Sequence, residues 1–160
     1  MAPITPSTMD REERGAALVE FALALPLLLV VIAGIVDFGF TFQRYEVITN
    51  AAREGARMAS LPGYDWSAVD QRVRAYVANG IGTAASQARA MPLGPSGAVT
   101  LTPGTIPITV GGVTKNVPTV LVTVTYNHNF LLLGPVLGLI NKTWGGTIVL
   151  TARSQMRAES

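Results

Sequence analysis

Residues 16–36 read AALVEFALALPLLLVVIAGIV, and this stretch decides the fold of the N-terminal part of the chain. Glu20 is its only polar side chain. A helix of 21 residues is about 32 Å long, which matches the hydrocarbon thickness of a bilayer. Pro26 and Gly34 lie inside the run, and membrane helices tolerate both residue types. The stretch therefore predicts a transmembrane helix.

Three other interpretations of this run differ in what they require. A buried helix of a soluble protein usually has a shorter apolar run. A cleaved secretory signal also has a shorter apolar core, although Val31-Ile32-Ala33 before Gly34 offers a small-residue cleavage site and keeps this alternative open. An ordinary permanent anchor would have no need for a carboxylate such as Glu20 inside it.

Composition restricts the remaining classes of protein. The chain has 160 residues, of which 49% are hydrophobic and 14% charged, against about 25% charged in typical soluble domains. These values exclude disorder caused by high net charge. The formal charge is only +2, so we expect no nucleic-acid partner. Cysteine is absent, which excludes disulfides, iron–sulfur ligation and a thiol nucleophile.

The sequence contains no recognisable catalytic or metal-binding motif. His128 is the only histidine, and no cluster has the spacing of metal ligands. A nucleophile elbow of the Gly-x-Ser-x-Gly type is missing, and Gly111-Gly112 is typical of a hairpin turn. We therefore expect a structural protein without enzymatic activity, cofactor or metal.

The start of the apolar run has an unusual order of residues, Arg14-Gly15-Ala16-Ala17-Leu18-Val19-Glu20-Phe21. A carboxylate at the centre of a membrane helix costs about 3 kcal/mol, and less near the interface. Glu20 is either an interfacial residue whose carboxylate reaches water, or a residue with a charged partner. If the chain is cut after Gly15, the new ammonium of Ala16 lies one helical turn from Glu20 and can pair with it, within one chain or between neighbours.

This junction resembles the cleavage site of type IV prepilins and pseudopilins. The chain is similar in sequence to TadE-like proteins (TadE, TadF and TadG), minor pseudopilins of the tight-adherence (Flp) pilus assembly system. The similar residues are those from Gly15 to Phe21, Pro26, and the later Gly34-Ile35-Val36-Asp37-Phe38-Gly39. The helix motif beyond the membrane, with Arg53, Glu54 and Arg57 in Ala51-Ala52-Arg53-Glu54-Gly55-Ala56-Arg57, also resembles that family. The resemblance covers about residues 11 to 60.

The resemblance implies a pathway and a set of partners. A prepilin peptidase would cut after Gly15 and leave Ala16 as the first residue, and Glu20 and Phe21 would serve assembly and recognition. Partners would be the prepilin peptidase, other pilus or pseudopilin subunits, the inner-membrane assembly platform and membrane lipid. The alternative is a membrane-anchored or secreted extracytoplasmic binding module without a pilus role.

Charge distribution and the resemblance together predict the location. Arg11 and Arg14 precede the run and only Arg44 follows it closely, so the positive-inside rule places the N-terminus in the cytoplasm. We expect a single-pass protein of the bacterial inner membrane with an extracytoplasmic head, which a surface pilus could incorporate. Whether cleavage follows Gly15, follows Ala33 or does not occur stays open at the level of sequence.

The helix is predicted to continue beyond the membrane, since no breaker occurs before Pro62-Gly63. Its expected parts are a cytoplasmic leader over 1–15, the membrane segment over 16–36 and an amphipathic continuation over 37–60, with an extracytoplasmic head over 61–160. Asp37 at the exit could cap a break or meet lipid headgroups. The continuation ends in small residues that pack either on the head of the same chain or on another subunit: Ala51, Ala52, Gly55, Ala56 and Ala59.

The head is predicted to be of the α+β class. A helix is expected within 63–79, followed by a loop over 80–97 with a helical turn near 84–90. Strands are expected over 98–102, 106–110, 113–117, 119–127 and 147–157, forming an antiparallel sheet of three or four strands covered by the long helix. The apolar segment Phe130–Ile140 is too short to span a bilayer. It is either a buried loop or short core helix, or an exposed apolar patch that touches lipid or a partner.

Overall fold

A single long helix dominates the computed structural model, which describes residues 8–81, 99–140 and 146–159. Helix α1 runs over Thr8–Ala59 without interruption, Pro26 included. It begins before the predicted start at Ala16, because no helix breaker stands between Thr8 and Gly15. The portion Glu13–Ala59 contains a window long and apolar enough to cross a membrane, and no other described element buries that window. The helix is consistent with a single-pass membrane anchor.

Helix α2 covers Trp66–Ile81 and packs on the second half of α1. It begins within the region predicted to be helical, 63–79, and continues two residues beyond it. A turn with Gly63 at φ 81° separates the two helices. The three valines at helical spacing, Val69, Val73 and Val77, are buried. The first two residues of the loop predicted over 80–97 are therefore helical, and the rest of that loop, with its helical turn near 84–90, lies outside the described residues.

The three strands form one antiparallel sheet in the order β1-β2-β3, with β1 over Val99–Val110, β2 over Val113–Asn129 and β3 over Thr147–Arg157. The α+β prediction is confirmed. The predicted breaks at 103–105 and at Pro118 are wrong, because pairing continues through them. Prolines are compatible with β1 because it is an edge strand of this sheet, where one side needs no ladder donors. The glycine turn is confirmed, with Gly111 at φ 60° and Gly112 at φ 80°.

The core lies where α1, α2 and the sheet meet. Its buried members from α1 are mostly small, and the members from the other elements are larger. The small-residue stripe therefore packs on the head of its own chain, as the first of the two interpretations predicted. The cluster comprises Ile48, Ala51, Ala52, Ala56, Val69, Val73, Val77, Val122, Val124, Tyr126 and Ala152.

Gly55 is the point of closest approach in this core. A Cβ atom placed on Gly55 would lie 2.6 Å from Cγ2 of Val73 and 3.2 Å from Cγ1 of Val122. Real Cβ contacts are essentially never as short as the first of these distances. Glycine is therefore what lets α1 approach both α2 and β2 at this level.

The apolar segment after β2 contains a short helix, α3, over Leu133–Ile140. Neither of the two interpretations of Phe130–Ile140 describes it fully. The interpretation as a buried loop or short core helix is right about the helix. The two residues before that helix are nevertheless well exposed, Leu131 at 64% and Leu132 at 41%. The backbone amide of Phe130 donates to the carbonyl of Gly146 at 2.8 Å, which holds this segment beside the start of β3.

Candidate functional site

The predicted processing junction lies on an exposed stretch of α1. Gly15, Ala16 and Glu20 are all exposed, and Phe21 is 60% exposed. A Cβ atom on Gly15 would have no described atom within 4 Å. Glu20 has neither a hydrogen bond nor an ion pair within the described residues. No described part of the head therefore covers this junction.

The arginine and glutamate motif beyond the membrane forms a small network on the surface. The Glu54 carboxylate accepts hydrogen bonds from Nε and Nη2 of Arg57 at 3.0 and 3.1 Å. Arg72 on α2 lies 3.5 Å from the same carboxylate. The hydrogen bond from Arg57 holds the pKa of Glu54 below its usual value, against a smaller opposing effect of burial. Arg53 is exposed. The network links α1 to α2, and exposed pairs of this kind contribute little to stability.

Asp37 anchors the start of α3 to α1. It is fully buried, and its Oδ1 accepts from the amides of Leu131 at 3.0 Å and Leu132 at 3.2 Å. Its Oδ2 accepts from the amides of Leu132 at 3.0 Å and Leu133 at 2.6 Å. Amides before and at the start of a helix have no partner within the helix. Asp37 therefore caps a helix distant in sequence, an outcome that neither of its two interpretations from sequence described.

His128 and Arg44 form a second buried contact about two helical turns above Asp37 on α1. His128 is 1% exposed, and its Nδ1 contacts Nη1 of Arg44. Since a guanidinium can only donate, this contact is a hydrogen bond only when Nδ1 accepts, which places the proton of a neutral imidazole on Nε2. That Nε2 is buried and has no hydrogen-bond partner among the described residues. Burial, followed by the Arg44 charge, lowers the pKa of His128, and Asp37 opposes this shift.

Aromatic rings connect the two buried contacts. The rings of His128 and Phe130 meet edge to face at a centroid distance of 5.4 Å. Phe130 in turn meets Phe38 of α1 edge to face at 6.4 Å. The C-terminal end of β2 and the residues that follow it are thus held to α1 by three contacts: the Asp37 carboxylate, the ring contact of Phe38, and the contact between Arg44 and His128.

A cleft of about 590 Å³ opens beside this cluster, between α1, α2, the end of β2 and α3. Its lining mixes aromatic, amide and aliphatic side chains with a single charged group, Arg44. Within the described residues, no three His, Cys, Asp or Glu side chains lie close enough to hold a metal ion. The arrangement can hold elements together, and the described part of the chain presents no acid–base or nucleophilic pair in this cleft. Its lining residues include Phe40, Gln43, Arg44, Tyr126, Asn127, Asn129 and Pro135.

The neutral imidazole predicts a pH dependence of stability. The pKa of His128 is lower in the folded chain than the ordinary 6.5, so unfolding takes up a proton at pH values between the two. The contribution of His128 to the free energy of unfolding is therefore complete at pH values above its pKa in the unfolded chain, about 6.5. It decreases as the pH falls from there toward the lower pKa of His128 in the folded chain. We expect His128→Gln to flatten this dependence between about pH 7 and pH 5, above the range where ordinary aspartates titrate. Urea unfolding of the detergent-solubilised full chain at several pH values measures it. An unchanged slope in His128→Gln would contradict the assignment.

Sequence reasoning missed Asp37 as an anchor and missed Arg44 and His128 as a pair. A charged residue directly after an apolar run was the only available signal for Asp37. Its acceptor role depends on amides 94 to 96 residues away in sequence, which periodicity and spacing do not reveal. The structure does not bring Glu20 or Phe21 together with Arg53, Glu54 and Arg57.

Comparison with models of known protein families gives a match in the N-terminal part of the chain. Residues 15–57 match a family described as TadE-like protein, so the resemblance seen in the sequence is confirmed over the junction, the membrane segment and the arginine and glutamate motif. This family is structural and is associated with the tight-adherence pilus, rather than enzymatic. No curated protein and no solved structure was found to match the chain.

Proposed function

We propose, from the premise that residues 15–57 are TadE-like, that the chain is a minor pseudopilin-like structural subunit for assembly of the tight-adherence (Flp) pilus. In this proposal its leader lies in the cytoplasm, and a prepilin peptidase cuts after Gly15. The head lies outside the inner membrane, where it contacts other pilus subunits and the assembly platform.

The observation that carries the proposal is the position of the family match, which begins at Gly15 and ends at Arg57. A generic membrane anchor would share only the apolar run. The match also includes the glycine before the run and the charged motif about 20 residues beyond it. The position of the match therefore favours a pilus subunit over an anchored binding module.

The exposure of the junction supports processing and assembly. A Cβ atom placed on Gly15 would have no described atom within 4 Å, its chain neighbours aside, so no described part of the head covers this position. Glu20 has no described partner in its own chain, and its carboxylate lies on the exposed surface of an apolar helix. Such a charge is costly in lipid unless it is paired. Cleavage would supply the ammonium of Ala16 as that partner, and pairing between chains would favour one axial register between subunits.

The first experiment determines the N-terminus of the full-length chain recovered from membranes, with and without a co-expressed prepilin peptidase. We expect a peptidase-dependent start at Ala16. Gly15→Leu should abolish that cleavage, because a large side chain obstructs the peptidase at this position. Gly39→Leu is the matched control, because Gly39 lies on the same helix with open space around it. A start at Gly34, or an uncut chain beside an active peptidase, would contradict the proposal.

The second experiment tests Glu20. We expect Glu20→Ala to remain in the membrane but to impair incorporation into the pilus assembly, because the amine of Ala16 loses its partner. Immunoblots of membrane and sheared surface fractions, together with counts of pili, measure both effects. Glu46→Ala serves as the control, since Glu46 is an exposed carboxylate of α1 beyond the membrane segment. Normal piliation in Glu20→Ala would remove the assembly role of this residue.

A further inference from the structure

We infer that the chain touches the bilayer at a second place, where the segment 130–136 rests in the membrane interface with Leu131 and Leu132 in contact with lipid. The occupant of this surface is the outer leaflet of the membrane that α1 crosses. The inference depends on the membrane span of α1, and it stands whether or not the chain is cut after Gly15 or enters a pilus.

The position of the segment along the membrane normal follows from its contact with Asp37. The apolar run ends at Val36, so Asp37 is the first residue beyond the span. Its carboxylate binds the amides of Leu131, Leu132 and Leu133 at 2.6 to 3.2 Å. These three residues are therefore held at the level where α1 leaves the hydrocarbon. The interfacial layer extends several ångströms beyond that level on each side of the bilayer.

The chemistry of the surface fits lipid. Phe130–Ile140 contains no charged residue. Leu131 is 64% exposed and Leu132 is 41% exposed, and Phe38 beside them on α1 is 54% exposed. A cluster of large apolar side chains in water would be unfavourable, at about 25 cal/mol per Å² of apolar surface. In the interface the same side chains are removed from water.

The exposed apolar surface is continuous with the membrane segment. An apolar groove along α1 is lined by residues on both sides of the end of the span, from Val31 to Phe42. Phe42 is 69% exposed, one turn above Phe38. The exposed apolar surface of α1 thus extends beyond Val36 on this face, and Phe38 within it contacts the ring of Phe130, the residue before Leu131.

The backbone amides at the start of the segment are hydrogen-bonded, which is what a medium of low polarity requires. Amides that lack partners are costly in lipid. The amides of Leu131, Leu132 and Leu133 all donate to Asp37, and the amide of Phe130 donates to Gly146. The carboxylate in turn accepts on both oxygens, so the same contacts compensate its removal from water.

The absence of cysteine from the chain allows a direct test. Single cysteines replace Leu131 or Leu132 in the full-length chain, carry a nitroxide label, and are placed in nanodiscs with one chain each. Two collision rates of the nitroxide label are measured, one with molecular oxygen, which partitions into lipid, and one with a nickel chelate, which stays in water. Leu28→Cys within the span is the lipid reference. Val113→Cys is the water reference, because it is 70% exposed and lies at the opposite end of β2.

We expect the nickel collision rate at Leu131→Cys and Leu132→Cys to be about fivefold lower than at Val113→Cys, because water-soluble reagents are depleted in the interface. The oxygen rate should rise toward that of Leu28→Cys. Rates equal to those of Val113→Cys would overturn the inference. Protection that appears only when several chains share a disc would also overturn it, because a second copy would then cover the surface. Circular dichroism and the pattern of limited proteolysis establish that each variant is folded.

Discussion

Asp37→Ala is expected to lower the free energy of unfolding of the head by about 3 kcal/mol, because the buried carboxylate accepts several backbone hydrogen bonds. The wild-type carboxylate receives four hydrogen bonds from three backbone amides. Alanine leaves those three amides without their acceptor, and the loss of a hydrogen bond to a charged group costs about 1.5 to 3 kcal/mol. The start of α3 should then detach from α1.

Urea unfolding of the detergent-solubilised full chain measures the loss of stability, and amide hydrogen exchange locates it. Exchange should accelerate at Leu131, Leu132 and Leu133 before it changes elsewhere in the sheet. Asp37→Asn should have an intermediate effect, because one oxygen still accepts while the amide nitrogen faces donors. Glu46→Ala is the matched control on an exposed position of α1. Equal stability of Asp37→Ala and Glu46→Ala would disprove the anchoring role.

Gly55→Val is the second substitution with a large expected effect, a loss of about 3 kcal/mol. The first added carbon already lies 2.6 Å from Val73 and 3.2 Å from Val122. Neither neighbour can withdraw without opening the core, since both are fully buried between α1, α2 and β2. We expect α2 to separate from α1, so the urea midpoint should fall and α2 should become sensitive to protease.

Two comparisons isolate steric crowding as the cause. Gly39→Val places the same side chain on the same helix with no described atom within 4 Å, so only the modest helix preference of valine applies there. The double variant Gly55→Val with Val73→Ala should recover part of the loss, because the atom nearest to the added carbon is removed. If Gly55→Val proved as stable as Gly39→Val, the close approach of α1 and α2 would not exist as described.

The sequence alone was sufficient for the elements whose signal is local. The apolar run of 21 residues exceeds what a soluble core helix needs, so its length predicted the membrane segment of α1. Spacing of three and four predicted α2, and strict alternation predicted the central part of β2 and the whole of β3. The junction at Gly15 and the arginine and glutamate motif were recognisable because each is a short, ordered pattern, and the family match covers both.

The prediction of β1 was less accurate, for a physical reason. Pro103, Gly104 and Pro107 are normally signs of a break in a strand. Their effect depends on whether the strand lies at the edge or in the middle of a sheet, which is a tertiary property. Because β1 pairs only with β2 in the described sheet, the prolines interrupt no pairing there, and the strand continues to the glycine turn.

The sequence by itself therefore determined a long apolar helix, a resemblance to TadE-like proteins that begins at its junction, and an α+β head, since these follow from periodicity, length and short motifs. Only the tertiary structure decided what Asp37, Arg44, His128 and Gly55 do. Their partners lie between 18 and 96 residues away in sequence. A carboxylate, a buried imidazole or a glycine has no fixed role in a local pattern. It acquires one when folding brings particular amides, a guanidinium or a valine within contact distance.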